Sequence, residues 1–193
     1  ETLKKYFQYP EEKTTWMIID DDPASTETRE YIRQQKDFEI KLFNEKNKGL
    51  GYSLNRVYAE IDTEYVFHSE DDWEYLRSIP VLRMIEALKS RSDLSQMLLF
   101  RERIKENEYV GARQEEDVPY AEYYRVFSFN SHLARTSLFL ENYPFPLNFT
   151  EWEYTFKLRK RGHTTSGIWG YKKEYFVRHI GPYNPNVKSW KNY

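Results

Sequence analysis

Three consecutive acidic residues follow an apolar segment in the first half of the sequence, and their types and spacing point to a cation site. Glu70, Asp71 and Asp72 come shortly after the apolar residues 65–67. Carboxylates this close together repel one another unless a cation lies among them. Oxygen ligands suit Mg²⁺ or Mn²⁺, which in proteins commonly bind substrate phosphates. The segment therefore predicts a divalent-cation site, although Asp71 and Asp72 could equally cap a following helix.

A second acidic run follows another apolar segment nearer the N-terminus. Asp20, Asp21 and Asp22 come directly after residues 15–19 and before Pro23. At the end of a strand, a carboxylate can accept hydrogen bonds from a uracil-type imide or from a ribose hydroxyl. Asp and Pro are also favoured in turns, so a solvated turn is the alternative interpretation.

The segment between these two runs combines a tight turn with the start of a helix. Gly49 lies two residues after Asn47, and Asn55 lies eight residues after it. A turn that simply leads into a helix would explain the segment in structural terms. The combined spacing is nevertheless less common by chance than an isolated glycine-rich loop. Asn47, Gly49 and Asn55 are therefore candidate ligand-binding residues.

Alternating strand and helix patterns are expected to bring these residues to one edge of a sheet. The patterns predict helices within residues 25–32, 52–61, 79–88 and 151–160 and from Ser131, and strands at 15–19, 38–43, 65–68, 96–100, 124–129, 164–169 and 174–178. This order predicts an α/β fold: one domain over residues 1–193, with a mostly parallel (mixed) sheet and helices on both faces. Ligands of such sheets bind at the carboxyl ends of the strands, where both acidic runs fall. The charged stretch from Arg101 to Glu122 lacks periodicity and predicts a long loop that could serve as a lid.

Composition argues against several functional classes. With 29 basic and 31 acidic side chains the formal net charge is −2, and the two signs are interleaved, so a nucleic-acid partner is not expected. The absence of cysteine excludes disulfides, thiolate catalysis and cysteine-bound zinc. No apolar run reaches the roughly 18 residues that a membrane-spanning helix needs. We therefore expect no integral membrane segment and a cytoplasmic location.

Taken together, the motifs resemble those of the family 2 glycosyltransferases of the GT-A fold. The resemblance rests on Ile18-Ile19-Asp20-Asp21, on Asn47-x-Gly49 with Asn55, on Phe67 to Trp73, and on Thr150 to His163, where an acidic residue opens a helix that ends at glycine. It implies a metal-dependent inverting enzyme that moves a sugar from a nucleotide diphosphate sugar to a hydroxyl of a glycan or another acceptor, as in polysaccharide biosynthesis. The donor half would be about 1–100 and the acceptor half about 101–193.

The resemblance also implies a role for each candidate residue. Glu151 would be the catalytic base that takes the proton of the acceptor hydroxyl. Asp72 and His179 would bind the cation, Mn²⁺ or Mg²⁺. The residues implied to bind the donor are Asp20, Asp21, Asn47, Gly49, Asn55, Glu70 and Asp71.

The residues by themselves leave alternatives open. Thr150-x-x-Glu153 is a capping box, which gives Glu153 a structural role and leaves Glu151 free to face a cleft. Glu151 could instead simply interact with the helix dipole. The rival functions are a non-catalytic sugar-nucleotide or glycan-binding module and, less favoured, a sugar nucleotidyltransferase, which needs a glycine-rich loop near its start; here the first glycine is Gly49. The family's usual first strand is expected to be absent, since residues 1–14 contain only a helix-like segment and a turn.

Overall fold

The computed structural model describes residues 2–102, 111–141, 143–145 and 151–181. Over the first hundred residues the elements are α1 (Thr2–Tyr6), a short 3-10 helix (Glu11–Lys13), β1 (Met17–Asp20), α2 (Thr26–Gln34), β2 (Ile40–Phe43), α3 (Leu50–Tyr58), β3 (Tyr65–His68), β4 (Trp73–Tyr75), α4 (Val81–Ser90) and β5 (Leu94–Leu99). The predicted alternation of strand and helix is confirmed in this half. Only β4 was not predicted.

The second half contributes the remaining strands and two helices. They are β6 (Tyr120–Tyr123), β7 (His132–Arg135), α5 (Thr136–Leu140), α6 (Glu151–Lys160), β8 (Thr165–Trp169) and β9 (Val177–His179). The helix predicted over 151–160 is found with the same bounds. Part of the predicted lid, residues 103–110, lies outside the described residues, as does Thr150 of the predicted capping box.

The strands form a mixed sheet with two smaller strand pairs. Five strands are hydrogen-bonded in the order β3-β7-β5-β8-β6, while β1 pairs with β2 and β4 pairs with β9. The β1–β2 and β5–β8 pairs are parallel, and β3–β7, β5–β7, β6–β8 and β4–β9 are antiparallel. The α/β class and the mixed sheet are confirmed, but the share of parallel pairs is smaller than expected. Periodicity predicts that a segment is a strand but not which strand it pairs with or in which direction.

The second half departs from the prediction around Ser131, where a helix was expected. Residues 132–135 instead form β7, which lies between β3 and β5 and pairs with both. Intrinsic helix propensity is a weak preference that tertiary pairing overrides, and a strand inserted between two others gains hydrogen bonds on both edges. The predicted strand 124–129 is also shifted, because β6 ends at Tyr123.

The core lies on both sides of β5, the central strand of the five. All six residues of β5 are buried, in contrast to β1 and β3, whose residues are only half-buried. A second apolar cluster lies beneath α5 and α6 and includes Phe127, Phe139, Tyr154 and Leu158. Burial of each such side chain stabilises the fold by roughly 1.5–3 kcal/mol. This cluster fixes α6 and therefore the residue at its start. In the part of the chain that the structure describes, no helix has the length and apolar character needed to cross a bilayer.

Candidate functional site

The acidic residues that follow β3 lie in a shared electrostatic environment. The pKa of Glu70 is raised to about 7, first because its carboxyl is partly removed from water and then because of repulsion from Asp72, Glu151 and Asp71. Glu70 as a whole residue is exposed, so part of this repulsion is screened by solvent. The ring of His68, two residues before Glu70, lies 5.4 Å from the ring of Phe129, whose amide binds Glu151. Folding therefore brings the predicted base and the predicted cation motif near each other, although they are about eighty residues apart in sequence.

Asp72 is held in place by the β4–β9 pair. The amide of Ile180 donates to the Asp72 carbonyl at 2.8 Å, which continues the antiparallel pairing of Trp73 with His179. This brings Nε2 of His179 to 2.8 Å from Oδ2 of Asp72. The two side chains are 39% and 34% exposed, so both can be reached by a ligand. The two residues predicted to bind the cation are thus adjacent.

A glycine makes the Asp72 position possible. A Cβ at Gly181 would lie 2.8 Å from Oδ2 and 2.9 Å from the Cβ of Asp72, closer than real Cβ contacts come. A larger residue there would displace the Asp72 carboxylate. Sequence reasoning missed Gly181, because its importance depends on a contact across more than one hundred residues.

The donor set at Asp72 fits a divalent cation that is completed by substrate. Oδ1 of Asp72 is shielded from solvent and has no hydrogen-bond partner in the described part of the chain. A carboxylate and an imidazole together suit Mn²⁺, and such ions often take only one or two protein ligands, with phosphates and waters completing the shell. The described residues contain no group of three or more His, Asp or Glu side chains placed to hold a metal ion.

Glu151 is oriented by the loop that precedes β7. Its Oε1 accepts hydrogen bonds from the amide of Phe129, at 2.6 Å, and from the hydroxyl of Ser128, at 3.1 Å. Both donors are buried, with Ser128 4% and Phe129 8% exposed. One carboxylate oxygen is thus fixed, and the other has no hydrogen-bond partner among the described residues. Neither donor was predicted from the sequence, because Ser128 and Phe129 lie in a segment that was expected to be an ordinary strand.

The pattern along α6 distinguishes Glu151 from Glu153. Tyr154 and Leu158 are fully buried and lie three and seven residues after Glu151, which places all three on one helix face. Tyr154 also donates its hydroxyl proton to the Leu138 carbonyl at 2.7 Å. Glu153 lies about 200° around the helix from Glu151 and is exposed. Only Glu151 of the two is directed toward Ser128 and Phe129.

Asp20 and Asp21, the candidate nucleoside residues, already have intramolecular partners. Oδ2 of Asp20 accepts from Nε of Arg29 at 2.6 Å. Asp21 holds the loop after β2, because it accepts from the side-chain amide of Asn44 at 2.6 Å and from the Gly49 amide at 3.0 Å. Asn44 is 1% exposed and was not predicted as a site residue. Its place directly after the predicted strand 38–43 is the sequence signal that could have identified it.

The Asn47 to Asn55 segment is the turn and helix start that the sequence predicts. Gly49 has a φ of +83°, which L-residues with side chains rarely adopt, and its amide also lies 3.1 Å from Oδ1 of Asn47. Asn55 lies on α3, and its side-chain amide makes two hydrogen bonds with the backbone of Phe145, at 2.9 and 2.6 Å. The structure therefore groups Asn47 and Gly49 with Asp21, and joins Asn55 to the loop before α6.

The described residues bring together groups that suit a cation and a group that can accept a proton. Asp72 and His179 are suitable for a cation, and Glu151 presents a carboxylate oxygen for a proton. The loop held by Asp21 lies at the carboxyl ends of β1 and β2, the edge at which ligands of α/β sheets bind.

Comparisons with known proteins identify the family and the fold. The family described as Glycosyl transferase family 2 matches residues 1–177. No curated protein matches the sequence. Similar solved structures include S. aureus TarS 1-349 (TM-score 0.61, 14% identity, covering 93% of this chain and 58% of that chain) and mannosyltransferase PcManGT from Pyrobaculum calidifontis in complex with GDP-Man and Mn²⁺ (TM-score 0.64, 12% identity, 94% and 52%). A third is GalNAc-T7 with UDP, GalNAc and Mn²⁺ (TM-score 0.67, 11% identity, 93% and 40%). The chain spans 58% or less of the length of each of these three structures.

Proposed function

Because the chain belongs to glycosyl transferase family 2 and has the GT-A fold, we propose that it transfers a sugar from a nucleotide diphosphate sugar to an acceptor hydroxyl, with a divalent cation and with inversion at the anomeric carbon. The acceptor is a glycan or another hydroxyl-bearing molecule. Polysaccharide biosynthesis is the process in which such a transfer would occur.

One observation carries this proposal: the loop that binds Glu151 lies against the end of β3. The ring of His68, two residues before Glu70, lies 5.4 Å from the Phe129 ring, and the Phe129 amide donates to Oε1 of Glu151 at 2.6 Å. An inverting sugar transferase needs its cation and its base on opposite sides of one anomeric carbon. The acceptor hydroxyl attacks one face of that carbon while the diphosphate leaves from the other. A module that only binds sugar nucleotides has no need for an oriented carboxylate at Glu151.

The proposed donor is a nucleotide diphosphate sugar. Similar structures were solved with UDP-GlcNAc in TarS, and with GDP-Man in the mannosyltransferase. Asp20, Asp21, Asn47 and Gly49 would form the nucleoside side of the site. Asp21 would act there chiefly by fixing the loop. Asn55 would act by holding Phe145 before α6.

In the proposed mechanism, Asp72 and His179 would hold Mn²⁺ or Mg²⁺ while Glu70 and Asp71 lie beside the donor. When bound, the cation supplies Lewis-acid neutralisation of the charge on the diphosphate. Glu151, fixed through Oε1, accepts the acceptor's proton on its free oxygen. The acceptor oxygen then forms a bond to the anomeric carbon as the bond from that carbon to the diphosphate oxygen breaks, and the nucleoside diphosphate leaves with the bonding electron pair.

A thermal-shift panel of nucleotide diphosphate sugars, each with Mn²⁺ or with EDTA, tests the proposal. A ligand at about 100 times its Kd should stabilise the protein by about 2.7 kcal/mol. We expect at least one donor to give this shift with Mn²⁺, and to release its nucleoside diphosphate when an acceptor is added. Equal shifts with Mn²⁺ and EDTA would contradict the cation requirement, and binding without any turnover across acceptors would favour the non-catalytic module.

Two alanine variants sharpen the test of the cation site. Asp72→Ala should abolish the Mn²⁺-dependent part of the shift and also transfer, because it removes a proposed cation ligand. Asp62→Ala is the matched control, since Asp62 is exposed and has no hydrogen bond or ion pair in the described residues. An equal loss in both variants would show that the effect comes from general charge rather than from the site.

A further inference from the structure

A cavity lies between the end of β2 and α3, and its walls do not include Glu70, Asp71, Asp72 or Glu151. Its volume is about 530 Å³, within the usual range for small-ligand sites. Its walls are formed by Phe43, Glu45, Lys46, Lys48, Tyr52 and Arg56. None of these residues was identified from the sequence, and none has a role in the proposed transfer.

The walls carry an excess of positive charge. Lys46, Lys48 and Arg56 face a single carboxylate, Glu45, and among the described residues none of the three cations lies within ion-pair distance of a carboxylate. The chain as a whole has a net charge of −2. The local excess is therefore a property of this cavity, and uncompensated cations in a concave surface attract anions.

Part of this wall is already ordered without a ligand. Nη1 of Arg56 donates to the Phe43 carbonyl at 2.9 Å and also to the side-chain oxygen of Asn44, which fixes the guanidinium. The ammonium of Lys48 lies 4.3 Å from the centroid of the Tyr52 ring. Groups held in place before binding lose less conformational entropy when a ligand arrives.

The walls of the cavity include none of the proposed donor and acceptor residues, although Lys48 lies between Asn47 and Gly49. Arg56 lies about 100° around α3 from Asn55, whose side chain contacts Phe145 on another side of the helix. The carboxylates of the proposed cation and base sites, Asp72 and Glu151, do not contribute to the walls. Two contacts connect the cavity to Asp21. Asn44 receives a hydrogen bond from Arg56 and donates one to Asp21 at 2.6 Å. The Lys48 amide donates to Oδ1 of Asp21 at 3.3 Å.

We propose that this cavity binds the phosphate or carboxylate group of an anionic sugar, at a site distinct from that of the donor diphosphate. The cations supply charge-assisted hydrogen bonds to an oxyanion, and the Phe43 and Tyr52 rings supply flat apolar surface for the body of the ligand. The sugar part of this inference rests on the proposed glycosyl transfer, whereas anion binding does not.

Titration of the ¹⁵N-labelled chain with inorganic phosphate, and separately with glucuronate, tests the site at low ionic strength. We expect saturable amide shifts within residues 43–56. Lys46→Gln/Lys48→Gln should weaken binding about tenfold or more, because each charged hydrogen bond contributes on the order of 1.5 kcal/mol. Binding by phosphate alone would identify a phosphorylated sugar, and binding by glucuronate alone would identify a uronate. Binding by neither would overturn the proposal.

Two controls separate this site from general charge and from the donor site. Lys36→Gln/Lys160→Gln removes the same charge from two exposed lysines elsewhere and should leave binding unchanged. If this pair weakens binding as much as the first, the attraction is not specific to the cavity. If UDP with Mn²⁺ displaces phosphate from residues 43–56, the cavity belongs to the donor site and the proposal is wrong. If the unaltered chain transfers sugar but binds neither phosphate nor glucuronate at residues 43–56, this inference is overturned and the proposed function stands.

Discussion

Replacing Glu151 by glutamine should separate donor binding from sugar transfer. Oε1 of Glu151 accepts from Ser128 and Phe129, and a glutamine amide oxygen can accept both bonds. The helix should therefore stay in place, with the NH₂ group in the position of the free carboxylate oxygen. An amide nitrogen cannot take a proton from the acceptor. We expect transfer to fall by about 10²–10⁴, the usual value of general-base help, which corresponds to roughly 3–5 kcal/mol of transition-state stabilisation.

The assay is release of nucleoside diphosphate at saturating donor and Mn²⁺, with donor affinity measured separately by calorimetry. Glu153→Gln is the matched control, because it makes the same change two residues along the helix on an exposed face. A second readout comes from Glu70 in the metal-free protein. Its raised pKa, about 7, includes repulsion from Glu151, so it should fall toward the ordinary value in Glu151→Gln.

Three results would refute this reasoning. Full transfer by Glu151→Gln together with loss in Glu153→Gln would place the base two residues later. Full activity in both variants would show that α6 does not supply the base. An unchanged pKa for Glu70 would show that Glu151 is not close to the acidic run, and the proposed site would lose its main support.

Two further predictions concern the Asp72–His179 pair and the pH dependence of the free energy of unfolding. Gly181→Ala should lower Mn²⁺-dependent nucleotide affinity about tenfold, because the new Cβ would lie 2.8 Å from Oδ2 of Asp72; calorimetry that shows unchanged affinity would count against Asp72 as a ligand. Burial lowers the pKa of His68 to about 4 and of His132 to about 3. As the pH falls from 6.5 to 4.5 the unfolded chain therefore binds two protons that the native state does not, whereas Glu70, with its raised pKa of about 7, takes up one in the native state. Solvent screening weakens the contribution of the exposed Glu70, and His163, whose pKa burial also lowers, adds to that of the two buried histidines. Stability should therefore fall as the pH falls through this window, and denaturant titrations that show a flat or opposite slope would contradict the assignment.

Local sequence patterns were sufficient to predict the element types in the first half and the start of α6. An apolar run followed by acidic residues identifies both a buried strand and the polar group at its end, because the two signals are adjacent in sequence. The segments ending at Asp20 and preceding Glu70 illustrate this. The prediction of Glu151 rather than Glu153 as the base rests likewise on residues within one turn of helix.

Pairing between distant segments could not be predicted in the same way. Residues 132–135 have a composition that permits either helix or strand, and only the presence of β3 and β5 on either side decides for a strand. The parallel or antiparallel direction of each pair depends likewise on how the chain returns to the sheet. The sequence therefore specified the α/β class but not the mixture of strand directions.

The sequence by itself determined which side chains are suitable for chemistry, whereas only the tertiary structure decided which atoms support them. Asp72 and Glu151 are identifiable from residue type and local context. The partners that orient them, Gly181 and the amide of Phe129, are unremarkable in sequence and act through position alone. A backbone amide carries no residue-specific signal, and a missing Cβ matters only where another segment packs against it, so both become visible only when the chain has folded.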